Sequence, residues 1–223
     1  MSTLNPPEKK PVALIAGPTA SGKSQLAVEL AQRLARAGRR GVIVNADSQQ
    51  VYRDLTILSA RPTVGEMGGI EHRLFGTWDG AEACSATDWA AAAKDVIAEI
   101  HGAGDVPILC GGTGLYLRTL LDGIAPVPEI DPEIREAVRA EVAEAGPHAH
   151  ALLAETDPTL AETIRPSDLQ RIARGIEVFR ATGRRLSAWQ QEPAAPLVTG
   201  DFVKLVLAPE RQWLRERIDR RFD

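Results

Sequence analysis

Residues 17–24 read Gly17-Pro18-Thr19-Ala20-Ser21-Gly22-Lys23-Ser24, a complete G-x-x-x-x-G-K-[ST] pattern. Its flanks constrain the fold. Residues 12–16 are a short, β-rich apolar run, and after Gly22 the positions Leu26, Leu30 and Leu34 recur on one helical face until Gly38. Strand, phosphate loop and helix in that order are the opening unit of an α/β sheet. The glycines let backbone N–H groups converge on anionic oxygens, the helix N-terminus adds partial positive charge, Lys23 neutralises phosphate, and Ser24 is placed to hold Mg²⁺. The loop leaves open whose phosphates it holds, because ATP and any other diphosphate present the same oxygens.

Two further apolar runs, residues 41–45 and 106–110, are too continuous for half-exposed strands and suit a parallel sheet covered on both faces. Ser85-Ala86-Thr87-Asp88 has the form of a capping box. Trp89, Ala93, Val96, Ile97 and Ile100 follow at helical spacing, which predicts a crossover helix. After Asp122 the pattern becomes proline-punctuated: Asp131 caps a helix with Pro132 in its first turn, and helices are expected over 147–156, 158–164 and 167–182, the last stopped by Gly183. A short helical piece around Trp189, a linker at 193–196, a buried strand at 202–207 and an Arg-rich helix opened by Pro209 complete the chain. That helix reaches Asp223 without a cap, so a longer protein is expected. The fold class is α/β, a P-loop NTPase-like parallel sheet flanked by helices with an inserted small helical subdomain. The core takes residues 1–122 and 197–223 and is C-terminally truncated, and the insertion takes 123–196.

With 44% hydrophobic and 25% charged residues, the 223-residue chain buries enough apolar surface to offset its ordering entropy. Residues 1–10 are polar and the first apolar run is far too short for a secretory or membrane segment. The expectation is a cytoplasmic, monomeric protein with no membrane partner. Cys84 and Cys110 form no C-x-x-C pair and read as reduced, buried thiols. The net charge of -4 excludes bulk electrostatic coating of nucleic acid, yet charge is segregated. Residues 165–185 carry six Arg against Asp168 and Glu177, whereas residues 129–162 carry nine acids against Arg135 and Arg139. A basic stripe can therefore meet phosphates on an acidic molecule.

Ligands of open α/β sheets gather at the carboxyl ends of the strands. The second strand runs into Asn45-Ala46-Asp47-Ser48-Gln49-Gln50-Val51-Tyr52 and the third into Gly111-Gly112-Thr113-Gly114-Leu115-Tyr116, so Asp47 and Thr113 face the space beyond the phosphates. A carboxylate there can accept a proton or hydrogen bond from a substrate nucleophile. The alternative is that Asp47 or Ser48 caps one short helix and Thr113 the next.

Taken in order, the phosphate loop, Asp47-Ser48-Gln49-Gln50-Val51-Tyr52, Gly111-Gly112-Thr113-Gly114-Leu115-Tyr116 and Asp168-Leu169-Gln170-Arg171-Ile172-Ala173-Arg174 resemble the successive motifs of the tRNA dimethylallyltransferase family. Arg61-Pro62, His72-Arg73-Leu74, Ser85 to Asp88 and Arg217 to Phe222 extend the likeness over nearly the whole chain. The resemblance implies that the loop holds dimethylallyl diphosphate with Mg²⁺, and that the exocyclic amine of the adenosine beside the tRNA anticodon attacks the allylic carbon. Asp47 would act as general base or hydrogen-bond acceptor for that amine, Thr113 would help orient it, and residues 19–24 with Mg²⁺, together with Arg217, would stabilise the departing diphosphate. It further implies tRNA contacts from Asp47, Ser48, Gln49, Gln50, Thr113, Arg135, Gln170, Arg171, Ile172, Ala173 and Arg174.

On the helix after Ser167, the residues Leu169, Ile172, Ala173, Ile176 and Phe179 form one apolar side, leaving Gln170, Arg171 and Arg174 opposite for phosphates or base edges. His72 reads as a packed loop histidine and Tyr52 as a half-buried tyrosine, neither with a catalytic role. A target base must be unstacked to reach such a pocket, which calls for a deep channel and an RNA-gripping subdomain. A small-molecule or nucleoside kinase, with ATP in the loop and Asp47 activating a hydroxyl, is the main alternative. An adenylate isopentenyltransferase acting on free AMP, ADP or ATP is the other.

Overall fold

Apolar residues on both sides of consecutive strand positions need two covering layers, and the computed structural model, which describes residues 10–222, provides them. The polar stretch at residues 1–9 and the chain end at Asp223 lie outside the described residues. Strands β1 (Pro11–Ala16), β2 (Gly41–Asn45), β3 (His72–Arg73), β4 (Val106–Gly111) and β5 (Asp201–Val206) form one sheet in the order β3-β2-β4-β1-β5, parallel throughout. Register follows the hydrophobic pattern. Val12, Leu14, Val42, Val44 and Leu109 face the helix α2 (Ala86–Gly102), while Ile15, Ile43, Ile108 and Cys110 face α1 (Lys23–Arg36). Burial on both faces is why these strands read as unbroken apolar runs.

Helix α2 starts where its capping box stands: Ser85 accepts from the Asp88 N–H and Asp88 reaches back to the Ser85 N–H. The expected face, Trp89, Ala93, Val96, Ile97 and Ile100, is buried. Helix α3 (Gly114–Asp122) packs on α2, with the Trp89 and Tyr116 rings stacked at 4.6 Å.

The contacts divide the chain into Met1–Gly123 with Pro196–Asp223, and Ile124–Ala195. The second unit holds α4 (Pro132–Ala145), a 3₁₀ turn at Gly146–His148, α5 (Ala149–Thr156), α6 (Pro158–Ala161), α7 (Leu169–Thr182) and α8 (Leu186–Gln190) around a core of Val138, Val142, Leu153, Leu160, Ile172 and Ile176. Gly175 lets Leu153 and Leu160 pack against the α7 backbone: a Cβ there would lie 2.6 Å from Leu153 Cδ1. Helix α9 (Arg211–Phe222) ends the first unit.

Four expectations need correction. The strand at 202–207 is not buried. β5 lies at the sheet edge and pairs with β1, the layers α1 and α2 pack on the inner strands, and Val203 is 68% and Val206 67% exposed. His72 belongs to the short strand β3 instead of a loop, a pairing with Ile43 and Val44 that two residues of sequence cannot signal. Leu169, the first residue of α7, lies beyond the end of the apolar cluster and is exposed, and Cys84 is half-buried where burial was expected. No helix among the described residues is long and apolar enough to cross a membrane.

Candidate active site

The phosphate loop connects β1 to α1 by two left-handed residues. Gly22, at the N-cap of α1, has φ 90°, and Ala20 carries φ 63°, a conformation that an alanine adopts only under constraint. Ser21 N–H donates to the Pro18 carbonyl at 3.3 Å and closes the turn. No side chain caps α1, so its first N–H groups are open to an anion. The Ser21 hydroxyl is buried beneath the loop, beside Gly17, and has no hydrogen-bond partner among the described residues. Lys23 Nζ folds back on the Pro18 carbonyl at 3.1 Å.

Behind the loop the ends of β2 and β4 nearly touch. A Cβ on Gly111 would lie 2.1 Å from the Ala46 carbonyl, so only glycine permits the Ala46 N–H to bond Cys110 O at 2.9 Å and the Thr113 N–H to bond Ala46 O at 3.1 Å. This approach sets the start of the β2 loop. Asn45, fully buried, accepts the Asp47 N–H on Oδ1 at 2.9 Å and donates through Nδ2 to the carbonyls of Asp47 and Leu74. Asp47 Oδ1 then accepts the Gln49 N–H at 3.0 Å, leaving Oδ2 without a hydrogen bond among the described residues.

The reading of Asp47 or Ser48 as a helix cap does not hold, because residues 48–50 form a turn and no helix starts there. Thr113 stands at the N-cap position of α3, but its hydroxyl makes no cap bond. It accepts the Ser48 N–H at 2.9 Å and donates to Ser48 Oγ at 3.2 Å. Gln50 Nε2 donates to the carbonyls of Ser59 and Ala60, so its amide braces the loop that follows.

A cavity of about 740 Å³ opens in this unit, lined by the phosphate-loop residues 19–24 and, among others, by Asp47, Gln50, His72, Glu29, Glu66 and Arg217. The phosphate loop, the carboxylate and the distant Arg217 thus meet around one space. Arg217 lies over the Trp213 ring at 4.7 Å. Arg220, one turn further along α9, lines the cavity too; its i+3 spacing from Arg217 was the signal that would have found it. Gly17 and Pro18 build the entry to the loop, and Ser48, Gln49 and Thr113 stand behind Asp47 instead of on the cavity wall.

Burial pushes the Cys110 thiol up to about 11, against the opposing pull of the Lys23 charge and a hydrogen bond with Ser24. The Tyr116 phenol is pushed upward by burial and by its bond to Cys84, and the His72 imidazole is held below its ordinary value by burial, partly offset by its bond to Ile70 O. The donors around the loop are oxygens, the Ser24 hydroxyl with the carboxylates of Asp47, Glu29 and Glu66 on the same cavity, and an all-oxygen set of this kind suits Mg²⁺, which keeps several waters and is held by few protein groups together with phosphate.

In the helical unit, Gln170, Arg171 and Arg174 are exposed on α7. Ile172 and Ala173 point the other way, 0% and 5% exposed in the core. Positions 172 and 173 sit inward by the same helical period that turns 170, 171 and 174 outward, so their side chains serve the core of this unit. Arg135 is half-buried on α4 in a shallow depression with Pro132, Glu136, Arg139 and Ala140. Glu177, 2% exposed, was not foreseen as part of this face; it accepts from Arg139 Nε at 3.1 Å and lies 3.6 Å from Arg174 Nη1.

A family model described as IPP transferase matches residues 50–223. The chain is 59% identical over 210 residues to the tRNA dimethylallyltransferase of Parvibaculum lavamentivorans, covering 94% of this chain and 65% of that protein. It is 56% identical to the tRNA dimethylallyltransferase of Erythrobacter litoralis, covering 97% and 68%. The chain thus spans about two thirds of the length of these relatives. Among solved structures it resembles a eukaryotic dimethylallyltransferase acting on tRNA, with a TM-score of 0.73 at 29% identity over 96% of this chain and 53% of that one. It also resembles the tRNA isopentenylpyrophosphate transferase of Bacillus halodurans, with a TM-score of 0.58 at 33% identity over 96% and 65%.

Proposed function

We propose, because this chain belongs to the IPP transferase family, that it transfers a dimethylallyl group from dimethylallyl diphosphate to the exocyclic amine of the adenosine adjacent to the anticodon in tRNA, in the cytoplasm. The observation that carries the reading is the single cavity shared by the phosphate loop, Asp47 and Arg217. A diphosphate seated on the open N–H groups of α1, with Lys23 alongside, points its allylic carbon across the cavity toward Asp47. The amine nitrogen forms a bond to that carbon as the carbon–oxygen bond to diphosphate breaks, and the proton released from the amine passes to the free oxygen of Asp47.

Lys23 and Arg217 meet the charge that builds on the leaving group. Ser24 would hold Mg²⁺, which when bound neutralises diphosphate oxygens. Thr113 serves the amine indirectly, by holding Ser48 and the turn that carries Asp47. The exposed arginines of α4 and α7 suit phosphates of the RNA backbone, which position without reading sequence.

The test is a thermal-shift comparison of dimethylallyl diphosphate and ATP, each with Mg²⁺, followed by prenylation assays on an anticodon stem-loop RNA and on AMP. Stabilisation by the allylic diphosphate and transfer to the RNA are expected. Stabilisation by ATP alone would mark a kinase, and preference for AMP would move the acceptor to free nucleotides.

A further inference from the structure

We propose that Asn45 is a positioning residue for the transfer, setting the direction of the Asp47 carboxylate from beneath; this rests on the role given to Asp47 above. Asn45 is the last residue of β2 and is 0% exposed, yet its side chain is polar. Each of its polar atoms is committed. Oδ1 accepts the Asp47 N–H at 2.9 Å, and Nδ2 donates to Asp47 O at 3.0 Å and to Leu74 O at 3.1 Å. The Asn45 carbonyl accepts from Trp89 Nε1 at 2.8 Å, and Trp89 is itself stacked on the buried Tyr116 ring. The peptide units on both sides of Asp47 are therefore clamped to one rigid amide in the interior.

The clamp reaches two walls of the cavity at once. Leu74, whose carbonyl the same Nδ2 holds, has φ 61° and directly follows β3, two residues after the cavity-lining His72. A non-glycine residue keeps that conformation only where its surroundings fix it, and the Asn45 amide is one such constraint. With the Asp47 backbone fixed on both sides and Oδ1 held by Gln49, the unbonded Oδ2 has one direction left to point. Asn45 touches no substrate. Its contribution is to preorganise the acceptor, so its loss lowers the rate of transfer without weakening the diphosphate site, which is built on a different loop.

The experiment compares wild type with Asn45→Ser, Asn45→Ala and Asn45→Asp in turnover on the anticodon stem-loop, in affinity for dimethylallyl diphosphate with Mg²⁺, and in amide hydrogen exchange at Asp47 and Gln49. Asn45→Asp keeps the shape and the acceptor but sets an oxygen against two carbonyls. Asn45→Ser keeps an acceptor within reach of the Asp47 N–H and should retain more turnover than Asn45→Ala. The expected result is a fall in kcat of about 10-fold or more in Asn45→Ala and Asn45→Asp, diphosphate affinity within about 2-fold of wild type, and faster exchange at Asp47 and Gln49. Unchanged kcat per folded molecule, or parallel loss of kcat and diphosphate affinity, overturns the positioning role. Exchange at Asp47 and Gln49 as slow as in wild type overturns it independently of any activity. Wild-type protein that binds the diphosphate but prenylates no RNA overturns the function proposed above instead, a result the exchange measurement tells apart.

Discussion

Thr113 Oγ1 accepts the backbone N–H of Ser48 at 2.9 Å, which ties the loop after β4 to the loop after β2. The same hydroxyl donates to Ser48 Oγ, so both of its hydrogen-bonding functions are spent on the turn that carries Asp47. Thr113→Val leaves a part-buried N–H unpaired and should destabilise the fold by about 1–2 kcal/mol. It should also lower turnover with little change in diphosphate affinity, whereas Thr113→Ser should restore both. Denaturant midpoints and steady-state kinetics check this, and a Thr113→Val protein with wild-type kcat would reduce the bond to a structural tie.

Asp47→Asn preserves size and the Oδ1 bond to Gln49 but removes the carboxylate that takes the proton. Removing a positioned general base costs roughly 10²–10⁴-fold in rate. Turnover should fall on that scale while stabilisation by dimethylallyl diphosphate persists, because the diphosphate rests on the loop at Thr19–Ser24. A thermal shift lost together with turnover would place Asp47 in ligand binding instead.

The sheet, the phosphate loop and the capping box of α2 were legible because each is a local pattern: hydrophobic runs, glycine spacing, and a serine three residues before an aspartate. So was the end of α7 at Gly183, which takes the left-handed conformation. The exposure of β5 was not legible, since an apolar run says nothing about whether a strand lies inside a sheet or at its edge. Nor was the use of Thr113, whose partner Ser48 stands 65 positions away, or of Asn45, which passed for the last apolar-strand residue. Buried polar side chains acquire their roles from tertiary partners, and the spacing of a sequence does not record them.

His72 gives a pH prediction. Burial holds its imidazole below the ordinary value of 6.5, so between that lowered value and 6.5 the unfolded chain binds more protons than the folded one. The contribution is therefore complete above pH 6.5 and is lost as pH falls from 6.5 toward the folded-state value. Urea midpoints measured from pH 7.5 down to pH 5, both values chosen to bracket roughly the histidine range, should decline, and His72→Asn should flatten part of the decline. An identical pH profile in the variant would remove His72 as its source.

Arg139 and Glu177 join α4 to α7 in the helical unit. Glu177 is 2% exposed, and its carboxylate is met by Arg139 Nε at 3.1 Å, with Arg174 Nη1 further off at 3.6 Å. A buried carboxylate that loses one partner is costly, but here a second guanidinium remains, so Arg139→Ala should destabilise by about 1–3 kcal/mol, less than the loss of an unshared buried pair. Arg139 is 63% exposed and engages Glu177 by one edge, which leaves the outer edge of its guanidinium toward solvent beside Arg135. If that edge meets an RNA phosphate, Arg139→Ala also reduces the salt dependence of stem-loop binding by about one unit of slope, and Arg139→Lys, which keeps the charge, does not. Loss of stability with an unaltered slope would confine Arg139 to holding the two helices together.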